Sequence, residues 1–210
     1  MHLSEDGNVD GGAQPSDDRP DELVERGIGA INLRYPIGKV EYQIFSDKGG
    51  YDEKVKTVYL QEIQRCPSLL EHAILNLDEN HLDVPYRNGG WTSKQVIHHV
   101  ADSHMNAYGR FKLALTEDNP TIKPYDEAAW AELSDTKNLP VNISLTLLHA
   151  LHTRWIELMK NMKEDDWQRT IFHPEHKRKI SLWDMAGTYA WHGKHHAAHI
   201  TGLRARMGWN

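Results

Sequence analysis

Histidine dominates the chemistry available to this chain: it supplies 14 of the 210 residues, and seven of those fall in two clusters. One cluster is His98-His99 with His104 close behind; the other is His192, His195, His196 and His199. Four residues of α-helix advance about 400° and rise about 6 Å, so His192 and His196 stack on one helix face and can share a tetrahedral ion. That face also carries Tyr189, Ile200 and Leu203, so the pair is expected to point inward. On a second helix His99 shares its face with Val96, Ser103 and Ala107. Three imidazoles from two helices are therefore expected to converge at His99, His192 and His196. Three neutral imidazoles on a divalent ion leave coordination positions open, the mark of a catalytic rather than a structural site. Such an ion lowers the pKa of the water or thiol that binds there. Zinc and nickel both accept imidazole, and ligand type does not choose between them.

Other residues offer competing or supporting roles. His195 and His199 form a second pair with the same spacing, rotated by about 100°. They sit beside Trp191 and Ala198, a less apolar stripe, and are assigned to backing the ligands or to the surface. Asp102, one turn after His99, could orient a histidine or take a proton, or be a capped, solvated carboxylate; His195 is a second candidate to back the ligands. His173 and His176 have ligand-like spacing, but Lys177-Arg178-Lys179 beside them suggests a solvated turn. Arg87 and Arg110 are read as anion contacts or surface salt bridges. Cys66 lies on an apolar face and is expected to pack in the core. There is no phosphate-binding glycine loop, nucleophile elbow or His-Glu-x-x-His motif.

The elements that must hold these side chains are helices. Val55, Tyr59, Ile63, Cys66, Leu70, Ala73 and Leu77 recur every three or four residues, with a kink expected at Pro67. Thr92 and Gln95 form a capping box that opens a second helix running to about Leu115. A short turn is expected over 126–133. A third helix spans about Val141 to Met162, with Leu145, Leu148, Leu151, Trp155 and Leu158 inward. Thr170–His173 and Arg178–Ile180 flank a turn and predict a small hairpin. A fourth helix starts after Ser181, with Asp184 in the reciprocal capping position, and ends near Met207. The result is an all-α fold, a four-helix bundle with a small hairpin before the last helix. Residues 1–30, rich in Gly, Pro and acidic pairs, read as a disordered or extended tail, and residues 31–210 as one domain. The stretch Arg34 to Val40 is expected to be extended, since Pro36 restricts Tyr35.

Composition excludes several classes. Lys plus Arg total 24 and Asp plus Glu 30, a net charge of −6 that argues against nonspecific nucleic-acid binding. No apolar run approaches the roughly 18 residues of a membrane helix. The first residues lack a basic and apolar leader, and a single cysteine allows no intrachain disulfide, so a cytoplasmic location is expected.

Long segments give the pattern a family. Tyr86-Arg87-Asn88-Gly89-Gly90-Trp91-Thr92, the run Gln95 to Asn106, Lys123-Pro124-Tyr125-Asp126-Glu127, the run Trp191 to Ile200 and Arg206-Met207-Gly208-Trp209 resemble the DinB/YfiT-like superfamily. The likeness is above all to its YfiT branch, described as metal-dependent hydrolases and as bacillithiol transferases, and it runs from about Tyr35 onward. It implies an up-down-down-up bundle, one divalent ion (zinc or nickel) per subunit, and a homodimer. The ligands it implies are His99, His192 and His196, although Gly193-Lys194 departs from the more histidine-rich form of that stretch. The function expected is a metal-dependent S-transferase joining a low-molecular-weight, bacillithiol-like thiol to an electrophilic small molecule. The alternatives are hydrolysis by a metal-activated water and a non-catalytic metal-binding stress protein.

Overall fold

The computed structural model describes residues 23–26, 29–39 and 50–209, so most of the expected N-terminal tail lies outside the described residues. In chain order the elements are β1 (Leu23–Arg26), β2 (Gly29–Asn32), α1 (Glu53–Ala73), α2 (Glu79–Leu82), α3 (Ser93–Thr116), α4 (Glu127–Trp130), α5 (Ser134–Asn138), α6 (Val141–Lys160), α7 (Glu164–Trp167), β3 (Thr170–His173), β4 (Arg178–Ser181) and α8 (Leu182–Met207). β1 and β2 pair antiparallel, with Val24 opposite Ile31. The four long helices, α1, α3, α6 and α8, make the bundle.

Local chemistry sets their ends. Asp52 caps α1 by accepting from the backbone N–H of Lys54 and Val55 at 2.8 and 2.9 Å. Thr92 and Gln95 close the expected capping box on α3, at 3.1 Å for Gln95 N–H to Thr92 Oγ1 and 3.0 Å for the return bond. Ser181 accepts from Asp184 N–H at 3.0 Å at the start of α8, and its hydroxyl donates to the Asp184 carboxylate at 2.8 Å, so Asp184 bonds the cap's side chain instead of its backbone. α8 ends at Gly208, whose φ of 70° is a left-handed C-cap. α1 runs unbroken through Pro67 and stops at Ala73, short of Leu77.

Contacts along the helices fix their directions. α1 and α8 run parallel: Tyr59 meets Trp183 with ring centroids 5.1 Å apart near one end, and Arg204 donates to the Ala73 carbonyl at 2.9 Å near the other. α3 and α6 also run parallel, joined by His98 Nδ1 and Ser144 Oγ at 2.7 Å near their starts and by Phe111 and Trp155, 5.3 Å apart, further on. α8 is antiparallel to α3, and α6 to α1. The order is up-down-down-up, and it is paid for with long connections, which carry α2, then α4 and α5, then α7 and the hairpin. The hairpin has the expected register, Thr170 opposite Ser181 and His173 opposite Arg178.

Two apolar clusters fill the bundle, one around Phe111, Trp155, Trp167 and Trp183, the other around Leu70, Ile97, Leu148 and Ile200. They meet at a polar layer. In α3 it holds His104, between Ala101 and Ala107; in α6 it holds His152, between Leu148 and Trp155; in α8 it holds His192, between Ala190 and Ala197. At this level α1 and α8 nearly touch: a Cβ on Gly193 would lie 2.6 Å from Cys66 Sγ. Glycine is needed there for close approach.

The segment 33–39 is a turn and not the expected extended chain. Gly38 N–H donates to the Tyr35 carbonyl at 3.0 Å, with Gly38 at φ 82°. Pro36 restricts the residue before it, but it also presets the second position of a turn. Leu33 and Tyr35 are buried against the bundle. No described helix is long and apolar enough to cross a membrane.

Candidate metal centre

His99 from α3 and His192 and His196 from α8 come together inside the bundle. One ring nitrogen from each lies within 4.8 Å of the other two. His192 Nε2 and His196 Nε2 are 3.1 Å apart. Two nitrogens bound to one zinc at about 2.0–2.1 Å in tetrahedral geometry lie about 3.3 Å apart, so this pair already approaches a tetrahedral edge. His99 closes the group from the opposing helix, its ring centroid 4.9 Å from His196 and 5.4 Å from His192.

Burial makes these donors neutral. The three residues are 5–6% exposed. Burial, reinforced by the neighbouring histidines, holds His99 and His196 well below the ordinary 6.5 and brings His192 to about 3. Their lone pairs are therefore available at neutral pH. His196 Nδ1 is buried with no hydrogen-bond partner, and Trp91 packs against His99 at 4.7 Å. Among the described residues no carboxylate belongs to this group of donors.

A second group, Cys66, His104 and His152, also has donor atoms within 4.8 Å of one another. Its nitrogens are already engaged. His104 Nδ1 bonds His152 Nε2 at 2.8 Å, His152 Nδ1 bonds the Ile63 carbonyl at 2.6 Å, and His104 Nε2 bonds His192 Nδ1 at 3.1 Å. Cys66, 1% exposed, has its thiol pushed up to about 12 by burial. The chemistry of the donors thus favours the His99 group as the place for an ion.

The other candidates fall elsewhere. His195 and His199 are buried, not at the surface, because residues 33–39 and Tyr86 cover their side of α8. His199 Nε2 donates to the Arg34 carbonyl at 2.9 Å, and its ring stacks on Tyr86 at 4.0 Å. His195 stacks on Trp191 at 4.2 Å, and its Nδ1 has no hydrogen-bond partner. Asp102 does not back His99. It lies one turn beyond His98, on the stripe facing α5, and burial with the nearby Asp135 raises its pKa to about 6. His173 is fully buried on the inner side of β3, where a solvated turn was expected, although Lys177, Arg178 and Lys179 are exposed.

Sequence reasoning missed His152 and gave His104 no role. Both occupy core-facing helix positions, the same signal that marked His99. It also placed Arg110 among surface candidates, whereas Arg110 is 3% exposed and lies near Tyr125. Burial and nearby Glu127 raise the Tyr125 pKa, and Tyr125 lies near Ser103, whose hydroxyl is 3.3 Å from that of Tyr189. Tyr189 packs against His192 with ring centroids 5.5 Å apart.

An antiparallel α3/α8 contact bearing three convergent imidazoles, in a bundle with two parallel neighbour pairs, defines a class of helical protein built around a candidate ion site. Residues 62–200 match the family model described as the DinB superfamily, and the chain belongs to that superfamily. Relatives from Bacillus cereus (strain 03BB102) and Bacillus thuringiensis subsp. konkukian (strain 97-27) are each 52% identical over 178 residues, covering 85% of this chain and 99% of theirs. Both bear the name "Putative metal-dependent hydrolase". A solved structure, described as "YfiT from Bacillus subtilis is a probable metal-dependent hydrolase with an unusual four-helix bundle topology", superposes with a TM-score of 0.81 at 44% identity. It covers 86% of this chain and 100% of that one.

Proposed function

We propose that this protein is a metal-dependent enzyme that joins a low-molecular-weight thiol to an electrophilic small molecule. His99, His192 and His196 would hold one divalent ion, zinc or nickel. Such an ion supplies Lewis acidity, lowering the pKa of a thiol or water presented to it. In the reaction the thiol sulfur forms a bond to the electrophilic carbon while the thiol proton leaves with the displaced group.

The observation that carries this reading is the donor group itself: three buried neutral imidazoles and no carboxylate. Water as nucleophile is usually helped by a nearby general base, and Asp102, the acid expected nearby, faces Asp135 instead. A thiol, far more acidic than water, needs no such base. Cys66 does not serve as the nucleophile, because it is buried with its thiol pKa raised, so the thiol is a free substrate. Trp91 and Tyr189 wall the rings and limit water. The names of the Bacillus relatives favour a second reading, metal-dependent hydrolysis. A cytoplasmic homodimer belongs to both readings.

The test is conjugation of a model electrophile by zinc- or nickel-loaded protein across several thiols, beside His192→Ala. Metal-dependent conjugation lost in the variant supports the transferase. Turnover of esters or amides without added thiol, and no conjugation of any thiol tested, supports the hydrolase and overturns the transferase.

A further inference from the structure

His192 is held by more than its helix. A chain of four hydrogen-bonding groups crosses the bundle behind it: the Ile63 carbonyl of α1, His152 of α6, His104 of α3 and His192 of α8. The links are 2.6, 2.8 and 3.1 Å. His104 is 0% and His152 2% exposed, so water does not substitute for any of these partners.

One end of the chain has a fixed polarity. A carbonyl oxygen only accepts, so His152 Nδ1 carries the hydrogen. A neutral imidazole has one N–H, so His152 Nε2 is bare and His104 Nδ1 must donate to it. By the same step His104 Nε2 is bare and His192 Nδ1 donates. His192 Nε2 is then left with its lone pair, 3.1 Å from His196 Nε2 in the group of donors. The rings are neutral because all three are buried, 0%, 2% and 6% exposed for His104, His152 and His192, where an unpaired charge is costly.

The sequence explains why the Ile63 carbonyl is free to end this chain. In an α-helix it would accept from the N–H four residues later. That residue is Pro67, which has no N–H, and it lies inside a helix that continues to Ala73. A proline in mid-helix is costly, and here it releases an acceptor facing His152.

We infer that His104 and His152 are positioning residues, anchored on the carbonyl that Pro67 frees, which set the tautomer of His192 so that its Nε2 presents a lone pair to a metal ion. The ion itself belongs to the proposed function above, but the tautomer belongs to the chain alone. Partners of this kind are worth 10–100-fold in metal affinity.

Two readouts separate the inference from that function. In metal-free full-length protein at neutral pH, long-range ¹H–¹⁵N NMR of labelled histidine is expected to show His192, His104 and His152 all protonated at Nδ1. Protonation of His192 at Nε2 would overturn the inference whatever the protein does with metals. Zinc affinity, measured by chelator competition, is expected to fall about 10–100-fold in His104→Leu and to stay within about 3-fold of wild type in His104→Gln, whose amide both accepts and donates. Equal zinc affinity in wild type and His104→Leu overturns the positioning role. A wild type that takes up no zinc or nickel refutes the proposed function, while the NMR result still decides the tautomer.

Discussion

α8 carries two histidine pairs of identical spacing, and they have opposite fates. His192 and His196 turn their Nε2 atoms toward each other and toward His99. His195 and His199 are equally buried, yet one lies flat on Trp191 and the other is tied to the Arg34 carbonyl under Tyr86. Spacing puts two imidazoles on one face, but what lies across from that face decides whether their lone pairs remain available. Across from the first pair is another imidazole-bearing helix; across from the second are aromatic rings and backbone oxygen.

Substitution on each pair is the strongest way to break this contrast. His192→Ala or His196→Ala is expected to lower zinc affinity by more than about 100-fold, since each removes a donor outright and the loss should exceed that of a supporting partner. His199→Ala is expected to leave affinity within about 3-fold but to cost about 1–3 kcal/mol of stability, because it removes a buried hydrogen bond and a stacked ring. Chelator competition and denaturant titration read the two effects; a large affinity loss in His199→Ala would erase the distinction.

Acid should act on both sides of this contrast. Native His152, which backs the first pair through His104, and His199 of the second pair sit near 4, against an ordinary 6.5, so between those limits the unfolded chain binds protons the native protein does not. The stability they protect is fully present above about pH 6.5 and is lost as pH falls toward about 4, on the order of 3 kcal/mol for each group. Thermal unfolding of metal-free protein should show the decline, and added zinc should steepen it, since ligands must be deprotonated to bind.

Gly193, between the two pairs, sharpens the comparison. An alanine there would push its Cβ within 2.6 Å of Cys66 Sγ, so Gly193→Ala should cost about 1–3 kcal/mol and shift α8 against α1. The smallest effect is expected at Asp102, which has the opposite sign. Its native pKa of about 6 exceeds its ordinary 3.8, so it favours folding only at low pH and loses that contribution as pH rises through 6. Asp102→Asn should therefore stabilise the protein slightly near neutral pH, by less than about 1 kcal/mol for a half-buried carboxyl, measurable as a small rise in Tm.

The helices were legible because their signals are local: the Thr92–Gln95 box, the Ser181 cap and the three-four spacing of apolar residues. His99, His192 and His196 could be seen to face inward by the same means. What could not be read were partnerships across the bundle. Nothing near Asp102 in the chain reveals Asp135 as its neighbour, and nothing near His199 reveals Arg34. Pro67 was read as a kink, the usual consequence of a lost N–H, while its effect here falls on Ile63 and through it on another helix. His152 carried the right signal, a polar ring at a core position, but its meaning depends on His104 opposite.

The broad contact between α1 and α8 has a consequence for synthesis. These are the first and last long helices among the described residues, so in a nascent chain α1 lacks its principal packing partner until α8 has been made. The same late segment brings two of the three clustered imidazoles, so the proposed donor group is incomplete until α8 has joined the bundle. If the proposed ion site is right, ion capture and closure of the bundle become a single event once α8 has emerged.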